Sequence, residues 1–140
     1  EVASAEEAKQ FIASIDKGAF VIDTTGDYPS DLARLSPTEL SAVDTAIIRG
    51  GVAVAENGSI WVTEENMVNR LLPFIAQQLI LVIYEKDLVA TMHQAYERIS
   101  VNETGFGVFI AGPSKTADIE QSLVIGAHGP CGMMAVVIKN

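Results

Sequence analysis

The chain has 140 residues, 18 of them acidic and 9 basic, giving a net charge of -9, with one cysteine and 49% hydrophobic residues. That length buries an adequate core without disulfides or a structural metal, and the acidic balance with no Lys/Arg cluster excludes nucleic acid as a partner. The longest apolar run, Leu79 to Tyr84, falls far short of the roughly 20 residues that span a bilayer, so no membrane span is expected.

Cys131 has no partner for a disulfide within the chain, which fits a reducing cytoplasmic setting. No basic stretch with an apolar follower opens the chain as an export signal would, and the start on Glu1 rather than Met points to a truncated or processed beginning.

Ser4-Ala5-Glu6-Glu7 has the spacing of a capping box, and Ala8, Phe11, Ile12 and Ile15 follow at helical intervals until Gly18. Ala19 to Asp23 reads as a short strand running into the polar loop Thr24 to Pro29. An aspartate at a strand end followed by Thr and Gly suggests an aspartyl phosphatase, but the second carboxylate that chemistry needs is replaced by Thr25. The loop is therefore read as a turn.

Ser36-Pro37-Thr38-Glu39 is a second capping box, with proline at its preferred first helical position, opening a helix to about Val43. Thr45 to Arg49 is a strand ending at Gly50-Gly51. Beyond it, Asn57-Gly58 lies between two runs of β-formers and predicts a hairpin. A two-residue turn there sets Val54 opposite Trp61 and puts Glu56 on the face of Val52, Val54 and Trp61. If that face is buried, Glu56 is a desolvated carboxylate suited to acid/base work; if it is open, Glu56 is a solvated hairpin tip.

Asn66 to Leu72 is read as a short helix that stops before Pro73 and presents Arg70. Leu79 to Tyr84 is a strand covered on both faces. Lys86-Asp87 opens a helix with the stripe Leu88, Met92, Ala95 and Ile99, placing His93 and Glu97 together. That pair lacks a third and fourth metal ligand and is read as a surface pair, so no metal site is assigned.

Val108 to Ala111 is a strand, and Gly112-Pro113-Ser114-Lys115-Thr116 turns it into a helix continued by Ile119 and Leu123. Such a turn aims free N–H groups and a helix dipole at whatever lies above the strand end; Lys115 adds charge, and Ser114 and Thr116 add donors. It is either an anion site or simply a well-capped helix. His128, followed by Gly129 in the sharp loop Gly126 to Pro130, could approach a ligand and exchange a proton, or only bond to backbone. Met133 to Ile138 is the last strand.

No repeat, low-complexity tract or linker divides the chain, so residues 1–140 read as a single domain. Strands alternating with helices predict an α/β fold with a mainly parallel sheet flanked by helices and an inserted β-hairpin at Glu56. Ligands of such sheets sit beyond the carboxyl ends of the strands, where the Gly112–Thr116 turn is expected and where Arg49 shares the rim.

The stretch Gly112 to Glu120, followed by Val124 to Pro130, resembles the signature of the LUD (lactate-utilisation) domain family. Ala55-Glu56-Asn57-Gly58 resembles that family's Ala-Glu-Thr-Gly hairpin, with Asn57 in place of Thr. Arg70 and Pro73 fall where the family usually has Arg and Pro. The similarity covers about Asp44 to Ile138, and the chain lacks part of the family's N-terminal region.

The resemblance implies the fold of the glucosamine-phosphate isomerases, ribose-phosphate isomerases and CoA transferases. It also implies a role in oxidising L-lactate to pyruvate, as an accessory subunit beside an iron–sulfur protein and a larger LUD subunit. The chain carries no cysteine set for a cluster, so it resembles the small, cluster-free member. No recognisable motif binds a cofactor directly.

On this reading the ligand is a small carboxylate or phosphate. Gly112, Pro113, Ser114, Lys115 and Thr116 hold it with Asn57, Gly58 and Gly129, Arg70 clamps it, and Glu56 and His128 handle protons. Two alternatives stand beside it. Ala55-Glu56-Asn57-Gly58 is also similar to the Ser-Glu-Asn-Gly motif of family I CoA transferases, whose glutamate is the nucleophile, which implies a stand-alone transferase or sugar-phosphate isomerase using Glu56. The other is a non-catalytic assembly subunit.

Overall fold

A computed structural model of the chain describes residues 1–99, 106–111 and 132–139. Among them the order is α1 (Ala5–Ser14), β1 (Val21–Asp23), α2 (Pro37–Leu40), β2 (Thr45–Arg49), β3 (Val52–Val54), β4 (Ile60–Thr63), α3 (Glu64–Met67), α4 (Leu72–Ile75), β5 (Gln78–Tyr84), β6 (Leu88–Val89), α5 (Met92–Arg98), β7 (Gly107–Ile110) and β8 (Gly132–Ile138). Two four-stranded sheets result: sheet A, in the order β1-β2-β5-β8, and sheet B, in the order β6-β3-β4-β7.

Every pairing in sheet A is parallel. Its central strands are nearly continuous apolar runs because both faces are covered. Ile47, Ile80, Val136 and Ile138 pack beneath α1 through Ala8 and Ile12. On the opposite face Ala46, Ile48, Leu79, Leu81 and Ile83 meet Ala53, Ile60, Val62 and Ile110 of sheet B. The outer face of sheet B, with Val52, Val54 and Trp61, is covered by α5 through Ala95. The order of layers is therefore α1, sheet A, sheet B, α5, an α/β fold with a mainly parallel sheet flanked by helices.

The chain passes from one sheet to the other at Gly50-Gly51. Gly50 still donates to Val82 of β5, whereas Gly51 donates to Trp61 of β4. A Cβ on Gly50 would lie 2.5 Å from Cγ2 of Ile60 and 2.7 Å from Cγ2 of Ile83. The seam between the sheets closes only around a residue without a side chain.

Both capping segments predicted from the sequence start helices. Ser36 accepts from the Glu39 N–H while Glu39 reaches back to the Ser36 N–H, and Ser4 accepts from the Glu7 N–H. Four expectations need correction. The hairpin turn is longer than two residues: Val52 faces Trp61 and Ala53 faces Ile60. Past Val54 the N–H groups of Ala55 and Glu56 go to the carbonyls of Val89 and Ala90, so the chain follows β6 before it can close on β4. The shift is an even number of residues, so Val52, Val54 and Trp61 still share a face.

The helix expected from Lys86 starts only at Met92, where Thr91 and Gln94 form a capping box. Leu88 is spent in β6 on the parallel edge of β3. The helix expected over Asn66–Leu72 does not form: α3 stops at Met67, and Pro73 does not end a helix but sits in the first turn of α4, where its missing N–H costs no hydrogen bond. Finally, β7 does not join the parallel sheet; it pairs antiparallel with β4.

Between α3 and α4 the backbone makes a tight γ-turn. Val68 has φ 66° and ψ -48°, and the N–H of Asn69 donates to the carbonyl of Met67 at 2.7 Å. A β-branched residue at positive φ is a true outlier that the surroundings must hold in place. Buried Asn69 is the clamp: its Nδ2 donates to the carbonyls of Leu32 (2.9 Å) and Leu35 (3.1 Å), and its Oδ1 accepts from the Leu71 N–H (3.0 Å).

Candidate functional site

Glu56, Asn57 and Gly58 form the tip of the β3–β4 hairpin, and all three are exposed. Gly58 takes φ 73°, a conformation that favours glycine, and its N–H donates to the Val54 carbonyl. Asn57 turns its Oδ1 inward to the N–H and hydroxyl of Ser59, so its side chain builds the turn rather than facing outward. Of the two readings of Glu56, the exposed tip is the one observed.

The Glu56 carboxylate nevertheless has a fixed partner. Its Oε2 accepts from the Met92 N–H at 2.7 Å, at the first residue of α5. The acid thus closes the start of a helix 36 positions away while the Glu56 N–H bonds Ala90 in the same corner. A carboxylate there satisfies an orphan helix donor and faces the positive end of the helix.

Arg70 is exposed, ion-paired with Glu64, and its guanidinium lies 4.5 Å from the centroid of the Phe106 ring. Phe106 leads into β7, and Thr63 at the end of β4 faces Gly107. Arg70 therefore stands at one end of β4 and the Glu56 turn at the other, roughly 10 Å apart along the strand. The described geometry does not bring the two together, and Arg70 already has an anionic and an aromatic neighbour.

Gly112, Pro113, Ser114, Lys115, Thr116, His128 and Gly129 lie outside the described residues. The strand that leads to them does not. Ile110 pairs with Ile60, which puts the end of β7 at the same end of sheet B as the Glu56–Gly58 turn. The expectation that residues 112–116 follow a strand of the parallel sheet is thereby corrected: the strand before them, β7, pairs antiparallel with β4 in sheet B.

Among the described residues no group of three or more His, Cys, Asp and Glu could hold a metal ion. His93 and Glu97 are both exposed on α5. No helix among the described residues is long and apolar enough to cross a membrane.

Sequence reasoning missed the role of Glu56 at α5, because a contact across 36 residues leaves no mark in local spacing. It also missed the meeting of Arg49 and Lys86 at the Tyr84 ring, where the guanidinium carbon of Arg49 lies 4.8 Å and the Lys86 Nζ 5.7 Å from the ring centroid. Arg49 at a strand end was the one available signal.

A parallel sheet stacked on a hairpin-centred second sheet, with a carboxylate at the hairpin tip, defines an α/β domain whose candidate acid lies off the parallel sheet. The chain belongs to the LUD domain family, whose model matches residues 34–138. It is similar to lactate utilization protein C of Shouchella clausii, 33% identical over 114 residues, covering 77% of this chain and 49% of that protein. It is also similar to lactate utilization protein C of Geobacillus thermodenitrificans, 30% identical over 119 residues, covering 81% of this chain and 50% of that protein.

The chain thus spans about half the length of these curated relatives. Among solved structures, a DUF162 family protein from Deinococcus radiodurans superposes with a TM-score of 0.72 at 23% identity, covering 98% of this chain and 85% of that one. That likeness supports the fold.

Proposed function

We propose that this LUD domain serves lactate utilisation by binding a small carboxylate or phosphate, beside an iron–sulfur protein that carries the electrons of L-lactate oxidation. The observation that carries this reading is the similarity to lactate utilization protein C over 77% of the chain. The sheet-B end shared by Glu56–Gly58 and the strand leading to Gly112 supports the location. There the backbone N–H groups of the Gly112–Thr116 turn, with Ser114, Lys115 and Thr116, hold the anion. Asn57, Gly58 and Gly129 shape the site, and Glu56 and His128 move protons. Arg70 would reach such an anion only from the far end of β4.

A thermal-shift screen with L-lactate, pyruvate, glycolate, sugar phosphates and acyl-CoA thioesters tests the reading. Ligand at about 100 times its Kd adds roughly 2.7 kcal/mol of stability, a rise of several degrees for a chain of this size. The rise should disappear in Ser114→Trp, which fills the turn. The absence of any response overturns the reading. The alternative, a stand-alone transferase with Glu56 as nucleophile, draws on the exposure of that carboxylate at a glycine turn. It requires an acyl-CoA adduct on Glu56 by intact mass.

A further inference from the structure

The carboxyl end of sheet A carries two cations that the lactate reading leaves unused. Strand β2 ends on Arg49 and its parallel neighbour β5 on Tyr84, with Arg49 opposite Val82. Residues two apart on a strand share a face, so Arg49, Val82 and Tyr84 project to the same side. The Arg49 guanidinium lies 4.8 Å from the Tyr84 ring centroid. The turn Glu85–Asp87 then brings the Lys86 Nζ to 5.7 Å from that same ring.

The ring attracts each cation, and the two together make this end of the sheet positive. Arg70, Arg98 and Lys139 each pair with a carboxylate, whereas Arg49 and Lys86, like Lys9, Lys17 and Arg34, pair with none among the described residues. Asp23, at the end of β1 and on the same face, accepts at Oδ1 from the N–H and hydroxyl of Thr25 instead. Glu85, next along the turn, is exposed and pairs with neither cation.

Both cations stand on fixed backbone. The Arg49 carbonyl accepts from Asn66 Nδ2 at 3.2 Å, and the Lys86 carbonyl accepts from Arg98, which is itself ion-paired with Asp87. Half-buried Val82 and Tyr84 give the cations an apolar floor. The position, beyond the carboxyl ends of central parallel strands, is where open α/β sheets receive ligands.

We propose that Arg49, Lys86 and Tyr84 form an oxyanion-binding site, with the Arg49 fork taking two oxygens of a carboxylate or phosphate, Lys86 adding a point charge and Tyr84 forming the platform. The inference rests on the small-anion reading for its ligand class and adds the rim of sheet A as a second place where such an anion binds.

Calorimetric titration of the full chain with pyruvate, L-lactate and inorganic phosphate at constant ionic strength tests it, and the three arms separate carboxylate from phosphate. Wild type and Arg34→Gln should bind alike. Arg49→Gln should bind about tenfold or more weakly, the change expected from losing a charge-assisted hydrogen bond, with Lys86→Gln in between. Binding that survives Arg49→Gln and Lys86→Gln but is lost in Ser114→Trp overturns this site and leaves the turn as the anion site. No heat with any anion overturns both.

Discussion

Replacing Asn69 tests whether the strained turn before Arg70 is held as described. The side chain makes three hydrogen bonds from a position only 6% exposed. In Asn69→Ala the Leu32 carbonyl keeps a second donor, the Leu35 N–H. The Leu35 carbonyl and the Leu71 N–H lose the side-chain partner described above. A buried polar group left unmatched costs about 1–3 kcal/mol, so the expected loss is about 2 kcal/mol.

For a domain of this length that lowers Tm by roughly 4–8 °C. Asn69→Asp should be worse than alanine at neutral pH, because it sets a carboxylate against two carbonyl oxygens now 2.9 and 3.1 Å from the amide nitrogen. Urea unfolding followed by Trp61, the sole tryptophan, provides the assay. A loss below about 0.5 kcal/mol for the alanine variant, or an aspartate variant as stable as wild type, refutes the clamp.

Gly107→Ala should cost about 1–3 kcal/mol, because its Cβ would lie 2.5 Å from Cη2 of Trp61, whose ring already packs 5.0 Å from Phe109; tryptophan fluorescence and urea unfolding report it together. Glu56→Ala should lose about 1 kcal/mol of stability and raise amide exchange at Met92, while Glu56→Gln keeps an acceptor and loses less. Ser36→Ala breaks a reciprocal cap and should cost about 1 kcal/mol by thermal unfolding, with no effect on anion binding.

Strands β2 and β5 were legible because uninterrupted apolar residues between punctuating glycines and polar turns admit little else. The helix at Pro37 was legible because its cap is written in four consecutive residues. Strand β6 was not: Leu88, Met92, Ala95 and Ile99 fit a helical stripe equally well, and only the open edge of β3 draws Leu88 into a sheet. The same edge lengthens the Asn57–Gly58 turn, since the donors of Ala55 and Glu56 find acceptors beside β6.

Assigning β7 to sheet B likewise depends on Trp61 and Ile60 offering it a partner, which no local pattern records. In the site, Glu56 was legible as a residue but not as the acceptor for the Met92 N–H at the start of α5. Arg49 was legible as a strand end but not as the neighbour of Lys86.

Equilibrium dialysis of the full chain with labelled pyruvate and L-lactate tests most directly whether this LUD domain recognises small organic anions. Saturable retention of about one molecule per chain is expected, displaced by the unlabelled acid and not by the neutral amide lactamide, since charge-assisted bonds require the carboxylate. No retention of either acid, or equal displacement by the amide, would contradict it.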